Sequence, residues 1–289
     1  MKKVFFLALA IGVYSCAPCD EPATPGISVD VKMPPTETDT LVTISFINPT
    51  FSMEPMSVRS RAALSSVSTK LDLWLSDGET IIDVHQTSTD VEFGSVSLTL
   101  NKLKTYTLYA VAHKCDAAAT LADGVISFPD DKVKDTFWYT TSFSPATATT
   151  VNCIMSRIVS MFRIETTDAV PTDVKKIRIT QRNVFDRWNV STGATNNIDR
   201  ISTINVTSTA SDGTVALSVY AIVGDAETAH DVTVETLDDS DQPIQIRTFV
   251  SVPMRNGYKT VYRGAFFTNA NMSMSFTASD WSEYDTTNF

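Results

Sequence analysis

From about residue 40 the chain alternates apolar and polar residues with a period of two, broken at intervals by turn residues, which is the signature of half-buried β-strands. Leu41-Val-Thr-Ile-Ser-Phe-Ile47 reads as a strand. Leu71-Asp-Leu-Trp-Leu75 alternates, Ser76-Asp-Gly-Glu79 turns, and Thr80-Ile-Ile-Asp-Val84 returns, so a hairpin is expected with Asp77-Gly78 at its tip. Val96–Leu100, Tyr106–Ala112 and the aromatic-rich Phe137–Phe143 continue the series. Helical periodicity is nearly absent; Ala117–Leu121 is the one patch expected to form a turn of helix.

A second set of strands follows. Val151–Ile164, carrying Arg157 and Arg163, is long enough for a helix, but its Val, Ile and Phe content favours one long bent strand. Strands are expected at Val174–Thr180, Val215–Ile222, Val232–Leu237, Ile244–Val250, Tyr258–Phe266 and Met272–Ala278, with turns at Asp212-Gly213 and Asn256-Gly257. Arg182–Ser211, rich in Asn, Ser and Thr, reads as a long loop with short strands. Two clusters of about seven short strands predict an all-β protein of two sandwiches, residues 40–150 and 151–289, meeting near Pro145-Ala-Thr-Ala-Thr-Thr150.

The N-terminus breaks this pattern. Met1-Lys2-Lys3 is a short basic region, and Val4–Val13 is an apolar run of ten residues. A bilayer core needs about 20 residues, so residues 1–15 fit a secretory signal better than a membrane span. Val13-Tyr14-Ser15-Cys16 resembles the lipobox of bacterial lipoproteins, in which the cysteine thiol is acylated with diacylglycerol and becomes the new N-terminus. That resemblance makes Cys16 the expected lipid attachment site; an ordinary signal peptide with a chance cysteine is the alternative. Residues 16–39 are Pro-rich and polar, an extended tether of roughly 75–80 Å at full stretch. Asp20 and Glu21 behind the lipid resemble the surface-export signals of Bacteroidetes lipoproteins, or belong simply to the linker.

Charge narrows the partners. The net charge is −10 and the pI about 4.7, so phosphate backbones are repelled and nucleic acid is a poor partner. Of four cysteines, Cys115 and Cys153 lie in the body of the chain, where buried thiols or a disulfide are both open. His85, His113 and His230 lack the paired spacing of a zinc site, and neither a metal nor another cofactor is expected. No Gly-x-Ser-x-Gly elbow or phosphate loop is present, and a catalytic role is not expected. Asp238-Asp-Ser-Asp241 reads as a solvated hairpin tip rather than a calcium loop. Four tryptophans can serve as core residues or as a sugar-stacking platform; Trp188, in the polar stretch, is the one expected to be exposed and to contact a ligand. Arg59 and Arg61, in Met56-Ser-Val-Arg-Ser-Arg-Ala62, offer a trypsin-like protease an accessible target, or lie in a plain surface loop.

Several segments, in order, carry a family resemblance. They are Pro55–Ala62, Leu71–Gly78, Gln86, Asp90, Phe93–Leu100, Tyr106–His113, Asp135–Tyr139, Arg157–Arg163, Asp168–Pro171 and Val174. This order resembles the FimB-type fimbrial subunit and anchor family of Bacteroidales, within the fimbrillin-like superfamily. The match spans roughly residues 40–200, and Val252–Thr260 with Arg263-Gly264 resembles the fimbrillin C-terminal half more loosely. The pattern departs at Thr180–Asp186, which keeps only the aromatic-Asp pair Phe185-Asp186 of a longer Gly- and Ser-rich stretch.

The resemblance implies two transthyretin-like β-sandwiches, a surface-exposed lipoprotein of the outer membrane, and a structural or adhesive role in a fimbria. It implies other fimbrial subunits as partners through strand exchange, the membrane through the lipid, and a host protein or glycan as a further partner. In related stalk pilins an Arg-specific protease removes the first strand and a neighbour's strand fills the groove; here Leu41–Ile47 would be that strand and Arg59 or Arg61 the cleavage point. The alternative is a surface glycan-binding lipoprotein of a polysaccharide uptake system.

Overall fold

A computed structural model of the chain describes residues 38–47, 64–129, 132–206 and 213–268, and the backbone of 275–280. Cys16, Arg59, Arg61 and Trp281 lie outside the described residues. The described chain is all-β: eighteen strands, with a 3-10 turn at Leu64–Ser66 between the first two.

Two sheets enclose the first core. One has the order β4 (Ser95–Asn101), β1 (Asp39–Ile47), β9 (Thr150–Ile154). The other has the order β10 (Ser156–Arg157), β8 (Thr136–Phe143), β5 (Tyr106–His113), β2 (Lys70–Ser76), β3 (Ile81–Thr87). Alternation in sequence becomes alternation in space: Val42, Ile44 and Phe46 face inward from one sheet, Leu73, Leu75, Leu108 and Ala110 from the other. The expected hairpin forms between β2 and β3. Asp77 Oδ1 accepts the N–H groups of Glu79 and Thr80 at 3.0 and 2.7 Å, while Gly78 takes the φ of +91° that the turn demands.

Two further sheets enclose a second core. The first runs β14 (Ala216–Ala221), β11 (Ser160–Thr166), β17 (Tyr258–Gly264), β18 (Ser275–Asp280). The second runs β16 (Pro243–Met254), β15 (Thr228–Leu237), β12 (Lys176–Asn189), β7 (Val125–Ser127), β6 (Thr120–Ala122), with β13 (Gly193–Asn205) also pairing β12. Phe162, Ile164, Ile177, Ile179, Val232 and Val234 fill the space between them.

The strands β6 and β7 come before residue 150, yet β7 hydrogen-bonds to β12 and β6 to β7, so chain from the first half completes a sheet of the second sandwich. A third buried cluster forms where the two sandwiches meet: Trp74, Val111, Cys115, Ile126, Phe128, Ile158, Val159, Met161, Trp188 and Ile222. The described residues accordingly belong to one compact unit.

Three expectations from the pattern are corrected. The patch around Ala117–Leu121 is not helical; Thr120–Ala122 is strand, drawn into the β7 ladder. Arg182–Ser211 is not a long loop. As far as Asn205, its Asn, Ser and Thr residues lie on the hairpin β12–β13, mostly at solvent-facing positions, and a bulge after Gln181, with Asn183 at φ +56°, re-aims the strand midway. Val151–Ile164 is not one bent strand but three, β9, β10 and β11, each in a different sheet.

Candidate strand-exchange site

The first strand occupies an unusual slot. β1 is the middle strand of its sheet, antiparallel to β4 on one side and parallel to β9 on the other. It begins just after the undescribed N-terminal residues, and residues 48–63, which hold Arg59 and Arg61, separate it from the 3-10 turn. Its ladders and its apolar face hold it in place.

Its inner face is Val42, Ile44 and Phe46, all buried. Across the ladders Val42 faces Leu98, Ile44 faces Val96 and Val151, and Phe46 faces Cys153. Burial of each such side chain stabilises the fold by about 1.5–3 kcal/mol. The outer face is Leu41, Thr43 and Ser45, and the Thr43 and Ser97 hydroxyls meet at 3.3 Å. Without β1, the backbones of β4 and β9 would stand about 9.6 Å apart, two strand spacings, with both edges unpaired.

The slot's ends are fixed by other elements. At one end the Phe46 N–H donates to the Gly94 carbonyl at 2.8 Å. Gly94 takes a φ of +88° and donates its own N–H to Gln86 Oε1 at 3.0 Å, while Gln86 Nε2 donates to the Ser95 carbonyl at 2.9 Å. Asp90 closes the same corner by accepting the Thr87 N–H at 2.7 Å. The segments Gln86, Asp90 and Phe93-Gly94, noted in the sequence, are thus the clasp joining β3 to β4. At the other end the Lys102 N–H donates to the Thr38 carbonyl at 2.7 Å, and the Thr43 N–H to Thr149 at 3.0 Å.

Other residues of that ordered pattern are fasteners as well. Arg157 grips Asp135 with Nε and Nη2, at 2.7 and 3.2 Å, and lies over the Phe137 ring. Asp168 accepts the backbone N–H groups of Phe266, Phe267 and Thr268. Burial alone would raise its pKa, but these donors hold it below the usual carboxylate value. Asp238 caps the β15–β16 turn by accepting from Ser240 and Gln242, and Asp241 pairs with Lys176, so the acidic cluster is the hairpin tip expected of it.

Trp188 is not exposed. It is 8% accessible, packs at 6.1 Å from the Trp138 ring, and has Gly193 so close that an added Cβ would meet its ring at 3.6 Å. The polar residues around it hid this: β12 turns Trp188 inward while Arg187 and Asn189 point out. Cys115 and Cys153 are both buried free thiols. Burial pushes the Cys153 thiol up to about 12. Among the described residues no group of three or more His, Cys, Asp or Glu side chains could hold a metal ion, and no helix is long and apolar enough to cross a membrane.

Solved structures share this architecture at low sequence identity. A candidate adhesin from Bacteroides ovatus matches with a TM-score of 0.51 and 11% identity, covering 84% of this chain and 95% of its own. A candidate polysaccharide-binding protein (DUF1812) from Bacteroides thetaiotaomicron matches with a TM-score of 0.52 and 8% identity, covering 84% and 99%. The tip fimbrial protein Mfa3 of Porphyromonas gingivalis, C-terminally truncated, is more distant, with a TM-score of 0.43, 9% identity, and coverage of 84% and 100%. No curated protein matches the chain. Residues 42–286, from the first buried residue of β1 onward, match a family of unknown function, DUF6562, and the chain belongs to that family.

Proposed function

We propose that the protein is a structural and adhesive component of a cell-surface fimbria, joined to its neighbour by donation of a strand into the slot that β1 occupies. The observation that carries this is the placement of β1: first in the described chain, central in its sheet, and followed by a segment with two arginines. An opened sheet presents unpaired N–H and C=O groups and an apolar trough, and an extended strand satisfies both.

The fold shared with a candidate adhesin agrees with this reading. In it Cys16 carries the lipid, the outer membrane is the site of attachment, residues 16–39 are the tether, and Arg59 or Arg61 is cut only when the protein polymerises. The work done is mechanical and no catalysis is needed.

The test is to delete the gene and follow the fimbriae. Loss, shortening or release of fimbriae supports the reading; fimbriae unchanged in length and attachment, with purified protein that never associates with them, overturn it. Intact mass spectrometry of the protein from outer membranes then assigns the role. An acylated Cys16 with residues 17–62 present marks an anchor, and a chain beginning at Ser60 or Ala62 marks a polymerising unit.

A further inference from the structure

The two walls of the β1 slot differ in what lies behind them. β4 leads through the turn at Asn101–Tyr106 into β5, so its connections stay within the first sandwich. β9 leads elsewhere. From Thr150 to Thr166 the chain runs through β9, β10 and β11 with no glycine or proline.

That single stretch is threaded through all three buried clusters. Val151, Cys153 and Met155 belong to the first core. Ile158, Val159 and Met161 belong to the cluster between the sandwiches. Phe162 and Ile164 belong to the second core. Backbone bonds pin it along the way: the Ile158 N–H donates to Thr136 at 3.0 Å, and the Val159 carbonyl accepts from Gly257 at 2.8 Å. Beyond these pins β11 is a central strand, antiparallel to β14 and parallel to β17. Only five residues separate β9 from β11, and three of them, Met155, Ile158 and Val159, are buried. Close-packed interiors transmit strain rather than absorb it, and no slack loop is available here to take up a shift of β9.

We propose that residues 150–166 couple the slot to the second sandwich, so that the quality of packing in the β1 position sets the local stability of β11 and its neighbours. In the fimbrial reading, on which the biological meaning rests, a well-filled groove stiffens the subunit as far as its other sandwich. The coupling itself can be measured with β1 in place.

The experiment compares two core truncations in the full chain by amide hydrogen exchange. Phe46→Ala empties the slot opposite Cys153, on the β9 side. Leu100→Ala empties it beside β4, opposite Thr40. With denaturant used to match their global stabilities, Phe46→Ala is expected to speed exchange at Met161–Ile164 and Val219 about tenfold or more relative to Leu100→Ala, because local opening is set by local packing. Equal exchange at these amides in the two variants, or changes confined to β4 and β9, would overturn the coupling. If Phe46→Ala does not fold, Phe46→Leu poses the same comparison with a smaller void. Failure of the gene-deletion test would remove the fimbrial reading without touching this result, and equal exchange would remove the coupling without touching the reading.

Discussion

Asp72 and His113 face each other across neighbouring strands, His113 Nε2 lying 2.6 Å from Asp72 Oδ2 with both side chains out of contact with water. The Cys115 N–H donates to His113 Nδ1 at 3.1 Å, which places the imidazole proton on Nε2, facing the carboxylate. Asp72 also accepts the Ala119 N–H at 2.7 Å, and His85 Nδ1 sits 2.7 Å from its other oxygen. One carboxylate therefore fixes the end of β5 and the crossover that carries the chain toward β6. Replacing it with Ala orphans a buried ring N–H and a buried backbone N–H, and Asp72→Ala is expected to destabilise the protein by about 3–5 kcal/mol. Urea denaturation measures this; a loss under about 1 kcal/mol would mean that the network contributes little.

The slot strand gives a paired test. Ile44 is fully buried, whereas Leu41, three residues earlier, is 60% exposed. Ile44→Ala is expected to cost about 2–5 kcal/mol, through lost burial and a residual cavity. Leu41→Ala should stay within about 0.5 kcal/mol. Similar losses at the two positions would contradict the described register of β1.

Acid sensitivity should be traceable to Asp168. Its folded pKa lies below the ordinary value of 3.8, so it contributes stability that is fully present above that pH and is lost as pH falls through the folded value. Thermal denaturation of the parent protein should therefore show a falling midpoint below about pH 4, and Asp168→Asn should flatten that fall while lowering stability at neutral pH. An unchanged pH profile in the variant would exclude Asp168 as the source.

Trp188 should behave as a core residue. Trp188→Ala is expected to cost about 3–5 kcal/mol, the usual range for removing a buried aromatic. A variant as stable as the parent, but deficient in glycan binding, would restore the role of a surface contact.

Cys153 offers a reporter for the slot. Its thiol is buried and its pKa lies at about 12, so thiol reagents at neutral pH should not modify it in the intact fold. In a background in which the other three cysteines are replaced by Ala, cleavage after Arg59 or Arg61 followed by release of β1 is expected to make Cys153 reactive, because β9 loses its pairing with β1 and Cys153 its register partner Phe46 in the same core. Labelling that is equally slow before and after release would show that the groove does not open along β9.

What could be read from the sequence was the local pattern. Alternation placed β1, the β2–β3 hairpin and most later strands, because period-two burial depends only on which face meets a core. Register and sheet membership depend on distant partners, and there the reading ran out. Val151–Ile164 is apolar over most of its length because it passes through three cores in turn, and apolarity alone does not say where a strand changes sheet. The hairpin β12–β13 was obscured by its polar outer face, although Trp188 and Val184 at inward positions were a signal of alternation. The fasteners Gln86, Asp90, Asp135, Arg157 and Asp168 stood out as an ordered set in the sequence, but their partners lie up to 100 residues away and only the fold discloses them.

The position of β1 between two partners has a consequence for force. It pairs with β4 over seven residues and with β9 over five. A strand in that position, pulled along its own axis, loads both rows of hydrogen bonds at once and must slide past two apolar walls before any bond is freed. Peeled sideways from an edge, the same strand would give up its bonds one at a time. In the proposed fimbria, a link built this way would yield only when the whole row fails together, as a filament dragged lengthwise by flowing fluid requires.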